Sequence, residues 1–227
     1  MKEKVYIYDA TLRDGAQGEG ISFSDTAKVR FARLLDDFGV DYIEGGFAGS
    51  NPRDRRFFDD IRKERLGHAR VTAFGSTRRK DCDAKDDPQL AGLLAADTEW
   101  VTVYGKSWML HVRDVLRTTG DKNIQMIADT VGFLRAAGRR VFFDAEHFFD
   151  GYKDDPAYSM RALEAALREG AEALALCDTN GGCLPHEVFE ITGRVCAAFP
   201  SVQVGIHTHN DSGLGVATAL EGVRAGA

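Results

Sequence analysis

The segment His207-Thr208-His209-Asn210-Asp211 follows an apolar run, Val202–Ile206, and sets two histidines two residues apart. In an extended strand, residues i and i+2 point to one face with their backbones roughly 6–7 Å apart. The two imidazoles therefore offer adjacent corners of one metal site, although such a pair also occurs as surface or packing residues. A second polar segment, Asp9-Ala10-Thr11-Leu12-Arg13-Asp14-Gly15-Ala16-Gln17, follows the first apolar run. Asp14 adds an oxygen donor to the imidazoles, and one carboxylate with two histidines leaves coordination positions open to a substrate. Arg13 is a fixed cation with a fork of donors, suited to an oxyanion forming in a reaction. Taken alone, a loop salt bridge is the plainer reading of Arg13.

Two further segments carry groups of the right type. In Asp144-Ala145-Glu146-His147, Asp144 and Glu146 share a face, and a carboxylate in a partly dry mouth can accept a proton. A solvated strand-end acid reads equally well, and His147, on the other face, is expected to be structural or to support a residue of the site from behind. In Asp178-Thr179-Asn180-Gly181-Gly182, a hydroxyl and free backbone N–H groups ahead of a helix make a ledge for a carboxylate; such turns also simply join strands to helices. The runs Ser76-Thr77-Arg78-Arg79-Lys80 and Gly105-Lys106-Ser107-Trp108 offer cations for the phosphates of a large cofactor, or merely a solvated face. His68, His111 and His186 have no partner in sequence and are not expected to be ligands. Cys177 and Cys183 lack a second pair and do not match a zinc site.

These segments need a scaffold that brings them together. Unbroken apolar runs at Val5–Tyr8, Tyr42–Gly45, Val71–Phe74, Trp100–Tyr104, Val141–Phe143, Ala173–Cys177 and Val202–Ile206 read as parallel strands buried on both faces. Amphipathic helices lie between them. One is capped by Ser24 and stopped by Gly39, one ends at Gly138, one runs from Asp155-Pro156 to Gly170, and one is closed by Pro200. No glycine fingerprint follows the first strand, and polar clusters recur after most strands. This favours a TIM (β/α)8-type barrel over an open doubly wound sheet. Seven units are counted over 1–227, so the expectation is one catalytic barrel domain truncated after its seventh βα unit.

Composition sets limits on function. The 227 residues are 44% hydrophobic and 28% charged, an ordinary globular balance. A net charge of -6 argues against a nucleic-acid partner. No apolar run approaches the ~18 residues that span a bilayer, and no basic-then-apolar leader precedes Asp9. Four irregularly spaced cysteines suit reduced thiols, so a cytoplasmic location is expected.

Together these motifs resemble the DRE-TIM metallolyase superfamily, and within it the 2-isopropylmalate, homocitrate and citramalate synthases. The segments Asp9–Gln17 and His207–Asp211 carry the resemblance. The citramalate-synthase branch is favoured by Gly18-Glu19-Gly20-Ile21-Ser22-Phe23-Ser24, by Glu44-Gly45-Gly46-Phe47 leading into Gly49-Ser50-Asn51-Pro52, by Phe74–Arg78, by Gly105–Trp108 and by Asp144–Gly151. The resemblance implies Asp14, His207 and His209 as ligands of Mg²⁺ or Mn²⁺, with the two histidines leaving room for Zn²⁺. It implies Arg13 as the electrophilic catalyst and Glu146 as a candidate base. Gln17 and Thr179 would bind a 2-oxo acid, and Glu44 would contact substrate or orient Arg13 or a metal-bound water. The implied reaction condenses acetyl-CoA with a 2-oxo acid, pyruvate foremost. A same-superfamily carbon–carbon lyase or a non-catalytic fragment are the alternatives. Tyr104, Phe74 and Phe143 are candidates for the 2-oxo acid side-chain pocket, and a homodimer is implied for the full-length protein. Four positions depart from the family: Ala10 for threonine, Met109 for an acid, and Phe47-Ala48 for Trp-Pro. The family's eighth strand, with its asparagine ligand, and its C-terminal domain would lie beyond Ala227.

Overall fold

A computed structural model of the protein describes residues 4–49 and 52–227. Seven parallel strands follow one another in space in the order of the chain: β1 (Tyr8–Asp9), β2 (Tyr42–Phe47), β3 (Arg70–Ser76), β4 (Trp100–Lys106), β5 (Arg140–Glu146), β6 (Ala173–Asp178) and β7 (Gln203–Thr208). Around them lie α1 (Asp25–Phe38), α2 (Pro52–Ile61), α3 (Pro88–Ala95), α4 (Met109–Asp114), α5 (Gly120–Ala136), α6 (Phe148–Asp154), α7 (Pro156–Arg168), α8 (Pro185–Ala198) and α9 (Gly215–Arg224). The result is a curled, incomplete TIM barrel, with β1 and β7 as the two edges of the sheet. Among the described residues, no helix is long and apolar enough to cross a membrane. Ser50 and Asn51 of the segment after β2 lie outside the described residues.

Helix ends follow local chemistry. The Ser24 hydroxyl accepts from the N–H of Ala27, and Gly39, at φ 93°, closes α1 in the left-handed region. Asp155 caps α7 ahead of Pro156 at its first turn. The strands alternate as a barrel requires. On β4, Val101 and Val103 point outward into the main core beneath the helices, while Trp100 points inward, against Tyr42 and Phe142. That small aromatic plug fills the lower barrel; Trp100 and Phe142 stack with ring centroids 4.5 Å apart. Polar residues occupy the next inward layers, toward the C-terminal ends of the strands.

The first strand is shorter than its apolar run predicts. Ladder pairing is confined to Tyr8 and Asp9, opposite Tyr42 and Ile43. Val5, Tyr6 and Ile7 are about half exposed. As an edge strand, β1 has a neighbour on one side only, and the Ile7 N–H goes to the Asp41 carboxylate instead.

Candidate metal-binding active site

The turn after β1 carries Asp14, whose N–H closes on the carbonyl of Ala10 at 2.8 Å. Across the mouth, β7 and the residue after it present His207 and His209, with ring centroids 5.2 Å apart. Asp14 Oδ2 lies 3.2 Å from His209 Nε2 and 3.5 Å from His207 Nε2. One ligand atom from each of the three residues falls within 4.8 Å of the others. A carboxylate oxygen and two imidazole nitrogens so converged match the donor set of a divalent cation, so these residues fit the metal expected of them. The hydrogen bonds from His207 and His209 hold the Asp14 carboxyl far below the usual carboxylate range. Burial works against a charge on His207, but Asp14 on one side and Asp144 on the other raise its pKa well above the ordinary value.

Asp144 stands behind the ligands. Its Oδ2 is 3.7 Å from His207 Nδ1, and its Oδ1 accepts from the Cys177 thiol at 2.5 Å. A carboxylate on the far nitrogen of a ligating imidazole fixes ring orientation and tautomer. The sequence reading paired Asp144 only with Glu146. The missing signal was that β5 and β7 lie two apart in the sheet with inward positions at one level.

Arg13 is nearly enclosed. Its Nε donates to Glu44 Oε2 at 2.5 Å, its Nη1 to Asp14 Oδ1 at 2.9 Å, and its guanidinium lies 3.8 Å above the Phe74 ring. Glu44 is buried one layer deeper, and it also accepts from the Tyr8 hydroxyl at 2.6 Å. Burial raises the Glu44 pKa, against the pull of Arg13. Glu44 is not among the residues bounding the cavity above Arg13; its contact with the site runs through Arg13.

A cavity of about 220 Å³ opens above these groups, bounded by Arg13, Asp14, Gln17, Asp144, Glu146, Thr179 and both histidines, with Phe47, Phe74 and Tyr104 on one wall. Phe74 and Tyr104 stack at 5.3 Å, and Phe47 meets Phe74 edge-on at 5.0 Å. Phe143 is not there: it points outward into the core, fully buried, because inward positions on β5 are Phe142, Asp144 and Glu146. Glu146 is ion-paired with Lys106, its direct neighbour in the β4–β5 register. That pairing was invisible in the sequence, since register between strands forty residues apart leaves no local signal. The Thr179 hydroxyl oxygen accepts the backbone N–H of His147 at 2.8 Å. His147 itself adopts a left-handed conformation, φ 55°, and its ring contacts His111 and Asp150.

The basic segment after β3 is not a free phosphate cradle. The buried Arg78 guanidinium is taken up by Asp129 and by the carbonyls of Arg79 and Cys82, and Lys80 donates to the carbonyl of Arg117. After β4, Ser107 bonds the Glu146 carbonyl and Trp108 Nε1 bonds Asp154.

The HMGL-like family profile matches residues 4–227. The chain is 55% identical over 227 residues to the (R)-citramalate synthase of Aquifex aeolicus, covering 100% of this chain and 43% of that protein. It is 49% identical over 225 residues to the (R)-citramalate synthase of Sulfolobus acidocaldarius, covering 99% and 43%. Identity to the 2-isopropylmalate synthase of Verminephrobacter eiseniae is 33% over 229 residues, covering 100% and 43%. The chain thus spans less than half the length of these relatives. The HMG-CoA lyase structure from Bacillus subtilis superposes with a TM-score of 0.80 at 20% identity, covering 98% of this chain and 74% of that one. At that identity the likeness is one of fold.

Proposed function

The chain belongs to the HMGL-like family, and from that premise we propose that it carries the metal- and 2-oxo-acid-binding part of an acyltransferase that condenses acetyl-CoA with pyruvate to give citramalate. The observation that carries the proposal is the convergence of Asp14, His207 and His209 beside Arg13 in one cavity. The kinship with (R)-citramalate synthases across the whole chain supports the choice of reaction.

Asp14, His207 and His209 would hold a divalent ion, Mg²⁺ or Mn²⁺ by preference, because a 2-oxo acid supplies further hard oxygen donors. When bound, that ion contributes Lewis acidity toward the substrate carbonyl. Arg13, fixed by Glu44 and stacked on Phe74, places positive charge where the carbonyl oxygen becomes an alkoxide. Thr179 accepts from His147, so its own hydroxyl proton is free to be donated to the substrate carboxylate. Gln17 borders the same cavity from the β1 side. Phe47, Phe74 and Tyr104 form an aromatic wall of the cavity, against which the methyl group of pyruvate would rest.

Glu146 takes a proton from the acetyl methyl group, directly or through a water, and Lys106 holds its carboxylate in place. The resulting carbon nucleophile forms the new bond to C2 of pyruvate. Water then cleaves the thioester, releasing CoA and citramalate. The test is a panel of 2-oxo acids with acetyl-CoA, with and without Mg²⁺ or Mn²⁺, following free thiol. Metal-dependent thiol release, greatest with pyruvate, is expected; no release with any 2-oxo acid overturns the proposal. Carbon–carbon cleavage of a preformed adduct without condensation would instead point to a lyase.

A further inference from the structure

A second cavity, about 170 Å³, lies beside the first, between the turn after β1 and helices α1 and α2. The two share three lining residues, Arg13, Gln17 and Phe47. We propose that Phe47 is the partition between them and sets the length of 2-oxo acid that the site accepts. This rests on the reading of the first cavity as the 2-oxo acid site.

The placement of Phe47 is built rather than incidental. The β2–β3 ladder shifts register between Glu44 and Gly46, which turns Phe47 inward. Gly46 sits at φ 140°, and a Cβ there would fall 2.4 Å from the Asp54 carboxyl carbon. Asp54 Oδ2 accepts the Phe47 N–H at 2.9 Å, while its Oδ1 is paired at 2.6 Å with the buried Lys28. Lys28 also donates to the Gly45 carbonyl at 3.2 Å. The bulge is thus locked from behind by an ion pair, and the ring in front is held edge-on against Phe74. Of the three shared residues, Arg13 is committed to Glu44 and Asp14, and Gln17 is exposed at the rim. The aromatic ring is what fills the space between the compartments.

Truncating it joins the first cavity to a neighbour of about 170 Å³, where Leu12, Ile21 and Phe23 offer apolar surface beside the charged Asp25 and the Lys28–Asp54 pair. The ligand class gained is 2-oxo acids with unbranched or branched side chains of about four carbons. In an apolar pocket each added methylene changes discrimination by about 10–200-fold, so the shift is large enough to measure.

The experiment compares the protein with its Phe47→Ala and Phe47→Leu variants. Calorimetry gives the affinities for pyruvate and for 2-oxohexanoate in saturating Mg²⁺, and thiol release gives kcat and KM for each. Expected is a rise of tenfold or more in the affinity ratio of the long acid to pyruvate in Phe47→Ala, with a smaller rise in Phe47→Leu. An unchanged ratio, or a parallel loss of both affinities, overturns the partition. Should Phe47→Ala fail to fold, Phe47→Leu decides by the same ratio. Lack of thiol release by the unaltered protein would count against the condensation, while the affinity ratio would still read the partition. If no 2-oxo acid binds to the unaltered protein, both the site reading and the partition fall.

Discussion

Glu44 grips Arg13 from beneath, its Oε2 2.5 Å from the guanidinium Nε, with the glutamate side chain 1% and the arginine side chain 8% exposed. The pair leaves the guanidinium fixed between Phe74 and Asp14. Breaking a buried pair strands the remaining charge. Glu44→Ala is therefore expected to lower stability by about 3–5 kcal/mol, read by urea unfolding. Glu44→Gln, which keeps the shape, should fold but lose about 10²-fold in kcat as Arg13 drifts.

The metal centre predicts a graded series. Mn²⁺ titration by calorimetry should find one tight site per chain, and chelation should abolish thiol release until Mg²⁺ or Mn²⁺ is restored. Asp144→Ala, which removes the carboxylate behind His207 and leaves the three ligands in place, should weaken Mn²⁺ by about 10–100-fold. Asp14→Asn and His207→Ala should weaken it further. Equal affinity in His207→Ala and the parent protein would refute the ligand assignment.

Acid stability should depend on Asp36, on α1. Its carboxylate accepts three backbone N–H groups, from Gly67 at 2.7 Å, His68 at 2.8 Å and Ala69 at 2.6 Å. Burial alone would raise its pKa, but these three donors hold it below the ordinary 3.8. The unfolded chain binds the proton more readily, so this stabilisation is present above about pH 4 and disappears as pH falls through the folded value. Asp36→Asn should lower the urea midpoint at pH 7 and flatten the loss of stability on going to pH 3.

Cysteine reactivity offers an independent check on packing. Burial, reinforced by the Asp178 carboxylate, pushes the Cys183 thiol up to about 12. At pH 8 its thiolate fraction is on the order of 10⁻⁴, whereas Cys82 is partly exposed. Iodoacetamide should label Cys82 rapidly in the folded protein and reach Cys183 only on unfolding.

The bulge at Gly46 should be intolerant of a side chain. Gly46→Ala meets both an unfavourable φ of 140° and the Asp54 carboxylate. We expect a loss of about 1–3 kcal/mol or more and, in any folded fraction, weaker discrimination among 2-oxo acids.

Much of this arrangement was legible in the chain. Seven apolar runs without polar alternation announced parallel strands buried on both sides, and glycines 39, 138 and 170 marked helix ends. The spacing of His207 and His209 announced a shared face. What the letters withheld were relations across space. Lys106 meets Glu146 only because of the β4–β5 register. Phe143 looks like its neighbour Phe142, yet a one-residue step along β5 sends it to the opposite face of the sheet. Arg78 reads as a free cation until Asp129, fifty-one residues on, is seen to hold it.

The edges of the curled sheet acquire a further meaning from their cargo. Asp14 belongs to one lip and His207 and His209 to the other, separated by nearly the whole polypeptide. Any cation gripped by all three would tie the first strand to the seventh like the clasp of a bracelet. Uncurling the sheet would then require releasing the ion, so the curl of the sheet and the metal site would be lost together.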